Sequence, residues 1–350
     1  MNWARFYRHL RKTIVSILFL GIAYSRSTTM NDLHNSSLSG TDLIAVIALG
    51  DDMYKKDLRS GFHYELLEKF AEDNQSNIQI HIALDEENYL DSLLQKKVDI
   101  VVVPEDSLLR GIRFSNNIED FGMWAVRSDN VSDIKIVNKW LKVTSEEEKF
   151  QEKYNLFNSA YNPIFKVENN IKTNRLSPYD ALIKEGAIKL GWDWQLLAAV
   201  IYYESRFSIS SHSHKGATGI MQIMPYTTER PITELYNPEI NISVGVDHLI
   251  KIQKIFRQFN LTTEELIKFT LAGYNAGPGR ILDCIRYGNA HNHPNSTWAD
   301  IKNIIPLLNE EGIENEESVQ LGRFKGDETL KYVDNVWEIY SHMLEITNSI

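Results

Sequence analysis

A chain of 350 residues that is 43% hydrophobic and 11% aromatic is long and apolar enough to bury two cores, which excludes a wholly disordered protein. Its formal charge of −10 excludes the large basic surface that nucleic-acid binding requires, so no nucleic acid is expected as a partner. The single cysteine, Cys284, excludes an intramolecular disulfide and a cysteine-based metal site; within RILDCIRYG it reads as a small buried apolar residue.

The first residues place Arg5, Arg8, Arg11 and Lys12 ahead of an uncharged run from Thr13 to Ser25. A basic start, a short apolar stretch and the small residues Gly21, Ala23 and Ser25 form the pattern of a secretory signal, too short for a comfortable membrane span. Residues 1–25 are therefore expected to be a signal peptide or an N-terminal anchor, and 26–42, rich in Ser, Thr and Asn, a linker. Export implies the periplasm or cell envelope, with peripheral membrane association open.

From residue 43 the pattern alternates. LIAVIAL, IQIHIAL and KVDIVVVP read as buried strands, with GFHYELLEKFAEDN and YLDSLLQKK as helices between them. That order predicts βαβ units in an α/β domain with a mostly parallel sheet. The succession LIAVIALGDD, GFHYELLEKFAED, LLQKKVDIVVVPEDSLLRGIRFS and MWAVR resembles one lobe of the type 2 periplasmic solute-binding fold, over residues 43–165. The second lobe of that family is missing, so no clamshell closes over a ligand. Arg110 and Arg113 lie near the position where the family grips a ligand carboxylate, but they read as solvated surface residues. The expected role is a scaffold or interaction module first and a ligand sensor second.

From about 166 to 350 the texture is mainly helical. Ser177 and Pro178 read as the cap and first turn of a helix through Leu190, with Gly191 ending it. In the next helix Leu197, Val200, Ile201 and Glu204 fall at helical spacing on one face. A carboxylate on that stripe is either half of a structural ion pair or an acid whose proton is retained by desolvation. Further helices are expected in ISVGVDHLIKIQKIFRQF, TEELIKFTLAGYN and ETLKYVDNVWEIYSHMLEI. Between them, Gly216, Gly219 and Pro225 in SHKGATGIMQIMPYTT break regular structure and make a pocket wall plausible beside the acid. In LAGYNAGPGRI, Tyr274 and Asn275 stand beside glycines that leave room for a ligand.

Four pieces in this order, closed by Glu328, Thr329, Tyr332 and Val333, resemble the catalytic domain of the family 1 lytic transglycosylases, with their goose-type lysozyme fold. They are Glu204, Ser205 and Phe207; Ser213, Gly216, Ala217, Gly219, Met221, Gln222, Met224 and Pro225; Asn241, Ile242 and Gly245; and Tyr274, Asn275, Ala276, Gly277 and Gly279. With the domain in front, the order is similar to that of the membrane-bound lytic murein transglycosylase F group. Departures are Ile209 for the usual Pro, Ile220 for Leu and Gly273 for Ala, none of which touches the acid.

The resemblance implies cleavage of peptidoglycan glycan strands between N-acetylmuramic acid and N-acetylglucosamine without water, leaving 1,6-anhydromuramyl ends. Glu204 would be the single acid and base, its pKa lifted by desolvation from about 4.3 toward 6. Ser205 and Ser213 would bond near the acid, the acetamido group or the peptide, or else cap a helix and a turn. Met221 and Gln222 would line the cleft, although Met221 suits a core equally. Tyr274 would hydrogen-bond Glu204 or the acetamido group, Asn275 would fix its own loop, and Tyr332 would reach the site or belong to the core. The first domain would add muropeptides or cell-wall proteins as partners. No cofactor is implied, and His212 with His214 or His291 with His293 makes no metal motif. The alternatives are a lysozyme-type hydrolase, needing a second carboxylate such as Glu229 or Glu239, and a muropeptide-sensing scaffold.

Overall fold

The computed structural model describes residues 36–49, 58–83, 89–105 and 109–347, and the expected signal and most of the expected linker lie outside them. The described chain divides into two compact units, one ending at Phe157 and the other running from Asn158.

In the first unit, β1 (Asp42–Ile47), β2 (Asn77–Ile82) and β3 (Ile100–Val103) fall on the three apolar runs, and α1 (Arg59–Asp73) and α2 (Tyr89–Leu94) lie between them. Two further strands, β4 (Ile112–Phe114) and β5 (Met123–Arg127), complete a five-stranded sheet in the order β2, β1, β3, β5, β4. β1 pairs parallel with β2 and with β3, Ala45 standing opposite Ile80 and Ile100. β5 is antiparallel to both β3 and β4, so the sheet is mixed, with parallel pairing confined to one half. The departure from a mostly parallel sheet has a local cause. Gly122 has φ +115°, and a Cβ there would meet the Val103 carbonyl oxygen at 2.4 Å, so glycine lets the chain turn tightly into β5 alongside β3. Arg113 lies exposed on β4, and Arg110 is exposed just before it.

One group of buried apolar residues packs Val46, Val101 and Val103 with Leu93, Ile112 and Ala125. A separate aromatic group centres on Phe62, with Phe121, Phe150, Tyr154 and Phe157 set edge-on around it. Phe150, Tyr154 and Phe157 come from α4 (Glu148–Phe157), which follows α3 (Val131–Ser145). On α3 the buried Asp133 accepts hydrogen bonds from Ser36 Oγ, Ser37 N and Ser37 Oγ at 2.8, 2.8 and 2.7 Å, fastening residues 36–38.

His63 is wholly buried beside Phe62, its Nδ1 accepting from Trp124 Nε1 at 3.1 Å and its Nε2 lying 3.0 Å from the Phe121 carbonyl. Both contacts suit the neutral ring with its proton on Nε2. Burial pushes its pKa down to about 4, against the opposing pull of the Phe121 carbonyl, and Arg59 adds to the lowering. The unfolded chain binds this proton near pH 6.5 and the native chain does not, so the stability is complete above about 6.5 and is lost as pH falls through 4. The loss is about 3 kcal/mol from this group alone. Urea unfolding at pH 7 and pH 4.5, compared with His63→Phe, should show a steeper acid loss for the native sequence; equal slopes would refute the assignment.

The second unit is helical. It comprises α5 (Pro163–Glu168), α6 (Asp180–Leu190), α7 (Trp194–Ser205), α8 (Pro238–Phe256), α9 (Thr263–Ala276), α10 (Pro278–Ala290), α11 (Trp298–Ile304) and α12 (Asp327–Thr347), with short 3₁₀ turns between. α6 begins at Asp180, later than the Ser-Pro pair suggested, because Ser177 closes a local turn. Its Oγ donates to Asp180 Oδ1 at 2.7 Å and accepts from Tyr179 N at 3.0 Å. Every residue of α7 from Leu196 to Tyr202 is buried, so this is a central helix and not one with a single apolar stripe. It packs on α6 and α12, while α9 packs on α8, α10 and α12. Among the described residues no helix is long and apolar enough to cross a membrane.

Candidate active site

The last turn of α7 carries Glu204, and the helix stops there for a visible reason. Arg206 and Phe207 both adopt left-handed backbone, φ +56° and +67°, a costly pair for residues with side chains. Phe207 holds the turn by wholly burying its ring against Tyr202 and Tyr161, with centroids 5.6 and 6.2 Å apart. Glu204 is half-buried, and the Tyr332 hydroxyl on α12 donates to its Oε1 at 2.7 Å. The Tyr332 phenol is pushed well above its ordinary range by burial and by the Glu204 charge, which keeps it a neutral donor. Tyr274 is raised by the same two causes, so its phenol also lies within the field of the carboxylate.

The wall beside the acid is the segment 211–224. Ser205, next to Glu204 and wholly buried, donates from Oγ to the Ile220 carbonyl at 2.7 Å, tying the helix end to that wall. Tyr274 donates to the Met221 carbonyl at 2.7 Å, and not to Glu204. Gln222 has φ +51° and commits its amide nitrogen to the carbonyls of Ser211 and Gly219, each at 2.9 Å. Ser213 accepts from Ala217 N at 3.0 Å, stabilising the turn through Gly216. Met221 is wholly buried and belongs to the core. Asn275 accepts from Thr329 Oγ1 at 2.8 Å, joining the end of α9 to the start of α12.

The organiser of the wall is Asn241 on α8. Buried completely, it accepts from Met221 N at 2.8 Å and donates to the carbonyls of Thr218 at 2.9 Å and Leu235 at 2.7 Å. Gly219 lies against it with φ +77°, and a Cβ would come within 2.3 Å of both Asn241 Nδ2 and the Leu235 carbonyl. Sequence reading placed Asn241 in a motif but assigned it no task; an amide near the start of a helix, following a glycine-rich turn, was the available signal.

Three residues of α10 that no motif marked, Arg280, Asp283 and Arg286, hold the segment 318–323. Asp283, wholly buried, accepts from Gln320 N and Leu321 N at 2.9 Å each and from Arg286. Arg280 donates to the carbonyls of Leu321, Gly322 and Arg323. Next to Asp283, Cys284 is buried, its thiol pushed up to about 12 by burial and by the Asp283 charge. Glu229 and Glu239 are exposed. His291 and His293 stack on Tyr287, and His212 Nδ1 lies 3.1 Å from Thr218 Oγ1. Among the described residues no cluster of His, Cys, Asp and Glu is arranged to hold a metal ion.

Residues 181–296 match the family model described as the transglycosylase SLT domain. The chain is 28% identical over 268 residues to the membrane-bound lytic murein transglycosylase F of Desulfosudis oleivorans, covering 73% of this chain and 58% of that protein. It is 31% identical over 154 residues to the protein of the same name from Vibrio parahaemolyticus, covering 44% of this chain and 29% of the relative. The chain thus spans little more than half the length of the first relative and under a third of the second. Among solved structures, the 70 kDa soluble lytic transglycosylase of Escherichia coli aligns with a TM-score of 0.34 at 19% identity, over 60% of this chain and 32% of that one. Within the helical unit that holds Glu204, residues 181–296 thus match the transglycosylase SLT domain, in a chain similar along 73% of its length to a membrane-bound lytic murein transglycosylase F.

Proposed function

We propose that this protein is a peptidoglycan lytic transglycosylase, with Glu204 as its single general acid and base. The observation that carries the reading is a half-buried carboxyl at the end of a central helix of an SLT domain, met by a phenol and flanked by a wall of buried hydrogen bonds. In the proposed reaction Glu204 protonates the glycosidic oxygen between N-acetylmuramic acid and N-acetylglucosamine as the C1–O bond breaks. The substrate's 2-acetamido oxygen meets the positive charge at C1. The muramic C6 hydroxyl then closes on C1 and returns its proton to Glu204, so no water is consumed. Gln222 offers its amide oxygen and Tyr274 its ring to the sugar, with Ser205, Ser213, Met221 and Asn275 supporting the wall.

The helical unit is read as the goose-type lysozyme-like catalytic domain, and the α/β unit as one solute-binding-like lobe serving muropeptides or cell-wall proteins. An N-terminal export signal would deliver both to the periplasmic side of the envelope. Mass spectrometry of purified murein after digestion tests the chemistry: 1,6-anhydromuramyl ends support it, whereas reducing ends would assign a lysozyme-type hydrolase.

A fragment tests the division of labour. Thr173 N donates to the Ile346 carbonyl and Lys172 Nζ to that of Glu345, each at 3.0 Å, so the segment before α6 is fastened to α12. A fragment beginning at Asn158 should keep these contacts, fold and release anhydro products. A folded but inactive fragment would mean that the α/β unit helps to build the site.

A further inference from the structure

The donor on Glu204 is itself held from behind. The ring of Tyr203 meets that of Tyr332 edge-to-face, with centroids 5.1 Å apart and planes at 86°. Asn335, one helical turn beyond Tyr332 on α12, donates from Nδ2 to the Tyr203 hydroxyl at 3.4 Å. Two adjacent residues of α7, Tyr203 and Glu204, are thereby bracketed by two residues on one face of α12, Tyr332 and Asn335. A tyrosine side chain turns about two torsions, and the Tyr203 ring and the Glu204 bond restrict Tyr332 from opposite ends.

We infer that Tyr203 is a positioning residue, its ring fixing the Tyr332 phenol on Glu204, with Asn335 holding Tyr203 in place. Its importance for cleavage rests on the reading of Glu204 as the acid, but the bracket itself is open to a test that needs no cleavage. Titratable groups facing Glu204 include Tyr332 on α12 and Tyr274 on α9, with Tyr203 beside it. Arg206 follows in the chain, with its guanidinium over the Tyr202 ring at 4.1 Å. A phenol donating to a carboxylate favours its ionised form, so loss of that donor raises the carboxyl's pKa.

The experiment is carboxyl-carbon NMR titration of the full chain with ¹³C-labelled glutamate, the Glu204 signal being the one missing from Glu204→Gln. Tyr332→Phe should raise the midpoint by roughly half to one unit. Tyr203→Ala should raise it by most of that amount, and Tyr203→Phe, which keeps the ring but loses the Asn335 bond, should return most but not all of the way to the native value. In the Tyr203→Ala, Tyr332→Phe double variant the shifts should not add, since both remove the same bond. Where murein is cleaved, Tyr203→Ala should lower kcat and move its alkaline limb upward with KM little changed. An unmoved Glu204 midpoint in folded Tyr203→Ala, or Tyr203→Phe behaving like Tyr203→Ala, would overturn the inference. The predicted midpoints in a protein that leaves murein intact would instead keep the bracket and discard the transglycosylase reading.

Discussion

Glu204→Gln should abolish nearly all release of anhydromuropeptides while leaving the fold and the Tyr332 contact in place. The amide is close to the carboxyl in size, and its oxygen still accepts from the Tyr332 hydroxyl now 2.7 Å away, so nothing in the end of α7 need move. What the amide cannot do is give or take a proton. General acid catalysis alone is worth about 10²- to 10⁴-fold, and in the proposed reaction one side chain acts in both directions, so the loss should reach or exceed the upper end. Turnover on purified murein, with circular dichroism and unfolding midpoints as controls, decides it. A folded variant keeping more than about a tenth of native turnover, a loss far short of that range, would remove Glu204 from the role.

The position of Glu204 at a helix end was legible from AVIYYESRF, but its surroundings were not. Helical spacing put it on a buried stripe, whereas α7 is buried on all sides and the carboxyl emerges where Arg206 and Phe207 break the helix. The phenol on it comes from Tyr332, 128 residues away, which the resemblance brought to the site or left in the core, while Tyr274, expected on Glu204 or on the acetamido group, donates to the Met221 carbonyl. Such pairings depend on how α7, α9 and α12 cross, which periodicity within one helix does not encode. The first three strands of the α/β unit were plain as apolar runs. The direction of β5 was not, since MWAVR reads alike in either sense and only the tight turn at Gly122 sets it against β3. Arg280, Asp283 and Arg286 were invisible for a related reason: each bonds backbone some 30 to 40 residues onward, and backbone partners leave no mark in the side-chain pattern.

Asn241→Ala should be among the most destabilising single changes in the helical unit. One buried amide satisfies the Met221 N–H and the Leu235 carbonyl and adds a second donor to the Thr218 carbonyl, which also accepts from Ile223 N at 2.9 Å, so truncation strands the first two against a methyl group in a site closed to solvent. At roughly 1 to 3 kcal/mol for each stranded group, with some relaxation, the cost is about 4 kcal/mol. For a unit of this size, that lowers the thermal midpoint by about 10 °C. Cleavage should fall even below the new midpoint, because the wall from Thr218 to Gln222 loses the anchor that sets it beside Glu204. Gly219→Ala should reproduce much of the effect from the other side, its added Cβ driving into Asn241 Nδ2 and the Leu235 carbonyl. The double variant should then be no worse than the sum of the two and measurably better, since each change already breaks the same contacts. Calorimetry on the four proteins measures this coupling. A midpoint for Asn241→Ala within about 2 °C of the native one, less than 1 kcal/mol, would show that the Met221 N–H and the Leu235 carbonyl find other partners and that Asn241 does not organise the site.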